Sequence, residues 1–317
     1  MGGWRRAMDA AGIRDPRLRE DYTRQLRRIT RYRREVALAS RVLLPLATLP
    51  HVIAAAAFMH HTDTLLDSGP AHARHEAAAR WARDTTEALD TGRTDHPELR
   101  PLLHSAAAHP SLRAHVRAHL DAAPVDLDFA GFTDEADHRG YVDAYSLPGF
   151  MVVAGVLGPA EDPDGAFRAA CREYIDAAQL LDFVNDLSED LADDRLTLPT
   201  ATLARHGVTR AELEAGADTP AVRALLTELL DRVDAGLLAS RPVVDLVPPA
   251  HRPMVRCLLG VDALTSRAAR AAGPALLRGP ASPGKPAAVR LLWRELRAKR
   301  AGLRESGGNR LPGRAGS

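Results

Sequence analysis

The chain has 317 residues, 45% apolar and 26% charged, with 42 basic and 41 acidic side chains and a net charge of +1. That balance excludes a broadly basic nucleic-acid binder, and the apolar share excludes a disordered chain. Aromatics make up only 4%, and Ala and Leu dominate the apolar set, so helix is favoured over an all-β sandwich or barrel.

The opening MGGWRRAMDAAG has no continuous apolar segment, and no secretory signal is read there. Residues 16–34 are strongly basic with sparse apolar positions and read as an exposed helix. The longest apolar run, Val36 to Met59, is interrupted by Ser40, Arg41, Pro45, Pro50 and His51. It reads as a buried helix pair rather than a membrane span. Helical patterns follow over 51–67, then, after the turn Ser68-Gly69-Pro70, over 72–90, and over 97–122 with breaks at Pro101 and Pro110. Residues 136–157 are apolar through Pro148-Gly149, where a kink is expected. Residues 164–192 form the longest uninterrupted helical pattern, and Pro199 closes the segment after it. Helices near 209–216, 219–239 and 248–272 complete the body. No useful strand alternation and no fixed-period repeat is present. Cys171 and Cys257 stand far apart, with neither zinc spacing nor a disulfide framework, so a reducing cytoplasm is the expected location.

The end of the chain changes character. Residues 274–286 (PALLRGPASPGKP) carry a linker signature. Val289, Leu292, Leu296 and Leu303 then recur at helical spacing among Arg290, Arg294, Arg297, Lys299, Arg300 and Arg304, with Trp293 beside them. This basic amphipathic helix is expected to dock on or beside the body, with at most peripheral membrane contact. The expected organisation is one catalytic domain over 1–273, a linker and helix over 274–305, and a disordered tail over 306–317.

Two acidic stretches carry the chemical signal. Asp63 and Asp67 are four residues apart and share a helix face; Asp182, Asp186 and Asp190 form a longer stripe, with Glu189 beside it. Like charges at that spacing weaken a helix by a few tenths of a kcal/mol. A single such pair is most simply a solvated acidic face. Here both emerge from apolar surroundings, Ala54 to Met59 and Leu180-Leu181, where unpartnered carboxylates are costly. Two such faces opposed across a bundle suit Mg²⁺, a hard ion that takes one or two carboxylates and shares its shell with substrate phosphates. The ion would stabilise a departing diphosphate.

These residues bring a family into view. The stretch from Phe58 through Asp63 to Asp67 resembles the first aspartate-rich motif of the squalene/phytoene synthase family. Gln179 through Asp182, Asn185, Asp186, Glu189 and Asp190 resembles the second, Arg195-Leu-Thr-Leu-Pro199 its arginine-to-Leu-Pro signature, and Tyr141 to Gly158 its mid-chain glycine helix. The four agree in order and spacing over about residues 20 to 275. The resemblance implies a single all-α isoprenoid-synthase bundle around a central cavity. It also implies Mg²⁺-dependent ionisation of an allylic prenyl diphosphate. Asp63, Asp67, Asp186 and Asp190 would hold the metal, with Asp182 and Glu189 as further ligands, and Arg195 would contact diphosphate. Arg41 corresponds, across a gap, to an N-terminal diphosphate arginine. His60 would bind phosphate or accept a proton. Tyr145, Phe150 and Phe183 would line the cavity beside Ser146, Gln179 and Asn185.

The departures matter as much. His60 stands where the family usually has arginine, Asp182 where it has asparagine, and Asn185 where it has arginine. Squalene synthases carry tyrosine three residues before the mid-chain glycine. Counting back from Gly149 gives Ser146, with Tyr145 one residue off. Fewer cations suit one diphosphate rather than two. The chain therefore looks most like the family's aromatic (carbazole) prenyltransferases, with dimethylallyl diphosphate the favoured donor and a small aromatic acceptor. Head-to-head condensation and a non-catalytic helical scaffold remain the alternatives.

Overall fold

The computed structural model describes residues 2–67 and 69–308, and among them there are helices and no strand. The α-helices in chain order are α1 Gly2–Ala10, α2 Pro16–Tyr32, α3 Arg34–Leu43, α4 Leu49–Asp67, α5 Ala71–Thr91, α6 Leu99–Ala108, α7 Leu112–Leu127, α8 Glu135–Tyr141 and α9 Leu147–Leu157. They continue as α10 Ala166–Asn185, α11 Leu187–Ala192, α12 Thr200–His206, α13 Arg210–Glu214, α14 Pro220–Ala239, α15 Val243–Leu246, α16 Arg252–Ala272 and α17 Lys285–Gly308. The all-α expectation holds.

Two helices organise the bundle. α4 is apolar on all sides over its first ten residues save for the buried His51, the pattern of a helix enclosed by others. It packs against α2, α5, α6 and α9. α10 is the centre of the other half and lies along α14, whose Val222, Leu225, Leu226, Leu229, Leu230 and Val233 recur at three- and four-residue steps and are buried. Each such side chain contributes about 1.5–3 kcal/mol on burial. α9 touches both α4 and α10 and joins the halves.

Three expectations need correction. α2 is not simply exposed: Asp21, Tyr22, Gln25, Leu26 and Ile29 are buried, and the Tyr22 hydroxyl donates to the Pro101 carbonyl at 3.1 Å. The pattern over 164–192 is not one helix. At Asp186 the backbone turns to ψ 9°, ending α10, and α11 restarts at Leu187. Residues 274–286 are not a simple linker, because Gly273–Arg278 forms a 3₁₀ turn that buries Pro274, Leu276 and Leu277.

The Pro148 region differs from a plain kink. Val142–Ser146 is a π turn in which Leu147 N–H donates to the Val142 carbonyl. Pro148, lacking an N–H, falls where the hydrogen-bond register changes. The stretch Glu135–Leu157 is long and apolar enough to cross a membrane by length and composition, and 67% of its most apolar window is buried in the bundle. α17 lies on α16 and α3, burying Leu291 and Glu295, and Lys299 Nζ donates to the Val42 and Leu44 carbonyls at 3.0 and 2.9 Å. It runs to Gly308; of the tail expected over 306–317, residues 309–317 lie outside the described residues.

Candidate active site

A cavity of about 760 Å³ opens between the C-terminal end of α4, the end of α7, the π turn and the α10–α11 junction. Both acidic stretches line it. Asp63 and Asp67 come from α4, and Asp182, Asp186 and Asp190 from α10, the break and α11. The break bends the stripe around the cavity instead of letting it run straight past.

Arg195 enters through a tight turn. Asp194 adopts φ 60°, a left-handed conformation that aspartate tolerates better than most side chains. Arg195 N–H then donates to the Asp190 carbonyl at 2.8 Å. The Arg195 guanidinium donates to Asp126 Oδ1 at 3.0 Å and lies over the Phe129 ring at 4.5 Å. Asp126 also accepts from the Tyr141 hydroxyl at 2.8 Å.

The cavity holds seven aspartates, adding Asp126 and Asp193 to the five above, against two arginines, Arg74 and Arg195. The imbalance shows in the acidities. Burial, then Asp67 and Asp126, pushes Asp63 up to about 7. Burial and Asp186 raise Asp182 to about 6, against the pull of Arg33. Asp182 is open to cavity water yet surrounded by protein, and the direction of its shift follows from the protein around it. Asp67 is raised by burial and Asp126, with Arg195 and Arg74 opposing. Asp190 is raised by burial, partly offset by the Thr197 hydroxyl, which donates to it at 2.9 Å. Burial and the neighbouring carboxylates keep the Tyr141 and Tyr145 phenols protonated far above neutral pH.

This donor set fits a hard divalent ion: oxygen ligands only, with charge that the two lining arginines do not balance. Among the described residues no three acidic, His or Cys side chains converge into a ready ion site.

Other residues singled out from the sequence divide. Tyr145, Ser146, Phe150, Gln179 and Phe183 line the cavity, and Ser146 Oγ donates to Gln179 Oε1 at 3.0 Å. His60 stands outside the lining, stacked on Tyr32 with ring centres 3.8 Å apart. Asn185 turns its amide to Asp186 Oδ1 and accepts from Ala281 N–H at 2.9 Å, tying the segment before α17 to α10. Glu189 is exposed on α11 outside the lining, and Arg41 is exposed on α3, also outside it.

Sequence reasoning missed Arg74, His119, Asp126, Tyr141 and Asp193. Asp193 could have been found, three residues beyond Asp190 and two before Arg195. Asp126 lies between Asp121 and Asp128, at spacings that mark no helix face. His119 is buried in the wall next to Gly149 and Tyr145, and neither ring nitrogen has a hydrogen-bond partner among the described residues. Burial lowers its pKa to about 4, so the ring is neutral at pH 7.

An all-α bundle with two acidic faces opposed across one cavity is the arrangement that the resemblance implies. The family model for squalene/phytoene synthase matches residues 29–293, and the chain belongs to that family. It is 30% identical over 228 residues to the bifunctional protein CrtB/UppS of Streptomyces coelicolor, a match covering 71% of this chain and 39% of that protein. It is 40% identical over 81 residues to phytoene synthase of Thermus thermophilus, covering 24% and 28%. The chain thus matches well under half the length of either relative. Among solved structures, a dehydrosqualene synthase superposes with a TM-score of 0.77 at 18% identity, covering 90% of this chain and 98% of that one. Squalene synthase HpnC from Alicyclobacillus acidocaldarius gives 0.70 at 24%, covering 86% and 99%. Those two likenesses establish the fold.

Proposed function

We propose that the chain is a Mg²⁺-dependent prenyltransferase that ionises a short allylic diphosphate, dimethylallyl diphosphate first, and transfers the prenyl group to an aromatic acceptor such as a carbazole. One observation carries the short donor. Met59, Phe150, Ile175 and Phe183 are the aliphatic and Phe side chains lining the cavity. The apolar chamber on the far side of Phe150 has room for only about 40 Å³, about three water molecules. Two long prenyl chains have little apolar wall to lie against.

Bound Mg²⁺ would supply positive charge to the departing diphosphate, with Asp63, Asp67, Asp186 and Asp190 holding it and Asp182 as a further ligand; Glu189, outside the lining, takes no part. Arg195 and Arg74 would hold the diphosphate oxygens. The allylic C–O bond breaks and its electron pair leaves with the diphosphate. A π pair of the acceptor ring forms the new C–C bond. The ring C–H proton then leaves to a base, for which the departing diphosphate or a lining carboxylate is placed in the cavity, whereas both His119 ring nitrogens are buried in its wall. The neutral rings of Tyr141 and Tyr145 present π faces to the cation. In this reading residues 1–273 form the catalytic unit, and 274–305 clasp it.

A second reading, head-to-head condensation of two prenyl diphosphates, is favoured by the names of the relatives. The experiment that separates them is incubation with Mg²⁺ and dimethylallyl, geranyl, farnesyl or geranylgeranyl diphosphate, with and without carbazole or indole. Acceptor-dependent release of diphosphate from the dimethylallyl donor supports the first reading. A hydrocarbon of doubled carbon number from farnesyl or geranylgeranyl donor alone overturns it.

A further inference from the structure

A second recess lies away from the acidic cavity. It is a groove of about 1030 Å³ between α14, α16 and α17. Its floor is apolar, with Leu237, Leu259, Leu264 and Leu291. The absence of a side chain at Gly260 lets Leu291 seat there: a Cβ would lie 2.7 Å from Leu291 Cδ1. Its rim carries five arginines, Arg241, Arg256, Arg267, Arg290 and Arg294, against one lining carboxylate, Asp234.

The pairing within the groove is uneven. Arg256 and Arg294 are held by the buried Glu295, at 2.7 and 2.9 Å, and that carboxylate fastens α17 to α16. Asp234 is engaged by Ser266 and Arg270 at 2.6 and 2.8 Å. Among the described residues Arg241, Arg267 and Arg290 pair with no carboxylate. Arg241, Arg267 and Arg290 therefore present uncompensated positive charge around an apolar floor.

Large apolar side chains stand exposed beside them. Leu238 on α14 is 59% exposed, and Val289 and Trp293 on α17 are 64% and 57% exposed. On α17 the steps Val289, Trp293, Arg297 trace one outward stripe, and the Arg297 guanidinium covers the Trp293 ring at 4.4 Å. Between Lys285 and Arg300 the helix carries six cations and one acid, Glu295, which is buried. A helix docked only for stability needs its inner face, Leu291 and Glu295. The outer face is something else: cations with an indole and aliphatics exposed at their level, the chemistry of a lipid headgroup zone. A nucleic acid would match the arginines but not the exposed Leu238, Val289 and Trp293.

We propose that this face, the α14–α16 groove and the outer side of α17, docks the protein on an anionic phospholipid bilayer. Lipid phosphates meet Arg241, Arg267 and Arg290, and Trp293, Val289 and Leu238 enter the headgroup layer. The inference rests on this surface alone and is independent of the donor and acceptor proposed above.

The full chain is sedimented with vesicles of phosphatidylcholine alone, or of phosphatidylcholine and phosphatidylglycerol in equal parts, at about 0.1 M and about 0.5 M salt. Binding to the mixed vesicles, weakened by salt and absent with phosphatidylcholine, is expected. Each cation near such a surface is worth about fivefold in partitioning. The triple variant Arg241→Ala, Arg267→Ala, Arg290→Ala should therefore bind roughly a hundredfold less, with an unchanged thermal melt. Trp4 and Trp81 are buried, so a blue shift of emission on vesicle binding should vanish in Trp293→Phe. Equal binding to both vesicle types, no binding to either, or a triple variant that binds like the parent overturns the proposal. So does capture by duplex DNA without capture by vesicles.

Discussion

Asp63 is a carboxylate that the fold holds under strain, and removing its charge should reveal how much. Its pKa rises from 3.8 to about 7, through burial first and then Asp67 and Asp126. The gap corresponds to about 4 kcal/mol, at roughly 1.4 kcal/mol per pH unit. Cavity water and side-chain relaxation reduce that upper bound, so about 1–2 kcal/mol is the working expectation. The sign follows from the two states. Below about pH 4 the group is protonated folded and unfolded, and costs nothing. From there the unfolded chain ionises first, and the folded state falls behind until the pH passes about 7. Metal-free Asp63→Asn should therefore melt a few degrees above the parent at about pH 8, with the difference shrinking to nothing near pH 4. Adding Mg²⁺ and inorganic diphosphate should reverse the order, raising the parent more than the variant, because a ligand stabilises the state that binds it. The assay is a thermal melt in chelator across pH, repeated with the two ligands. A variant less stable than the parent at every pH would refute the reasoning, because Asp63 would then be a structural hydrogen-bonding group.

Three further outcomes are expected. Arg195→Ala should raise the KM for the prenyl diphosphate by about 10- to 100-fold, from the loss of a charge-assisted contact; an unchanged KM in steady-state kinetics would leave Arg195 as only the tether of Asp126. Phe150→Ala should open the cavity toward the apolar chamber behind it, raising kcat/KM for the geranyl donor over dimethylallyl by about tenfold. Donor competition reads that ratio, and no change would mean Phe150 sets no length limit. Gly236→Ala should destabilise by about 1–3 kcal/mol in urea titration, because its Cβ would meet Ala177 Cβ at 2.7 Å and neither can rotate away. A neutral result would contradict the close approach of α10 and α14.

Much of the fold was legible because proline and glycine punctuate it. Pro101, Pro110, Pro199 and Gly273 lie within a few residues of helix ends. What escaped was tertiary. Tyr22, Leu26 and Ile29 make a helical stripe, but the surrounding arginines outweighed it, and only the structure shows α2 buried on that side. The even spacing of Asp182, Asp186 and Asp190 argues for one helix, yet the chain breaks at the middle residue. A period in the sequence records which face residues would share, not whether the backbone continues. Asp126 carries no local pattern at all, since its meaning comes from Arg195, 69 residues away in the chain.

The one-residue offset of Tyr145 from the family's tyrosine position is the case where sequence and structure explain each other. A residue out of register by one on a regular helix would turn about 100° away from its expected direction. Here the helix widens into a π turn over Val142–Ser146, which absorbs one extra residue. Tyr141, Tyr145, Ser146 and Gly149 consequently all face the same cavity. Pro148 follows where its missing N–H falls at the change of register, so the proline that looked anomalous in the sequence is compatible with the widened turn. Tyr145 and Ser146, four and three residues before Gly149, both line the cavity, so a one-residue offset in the sequence leaves a tyrosine on that wall.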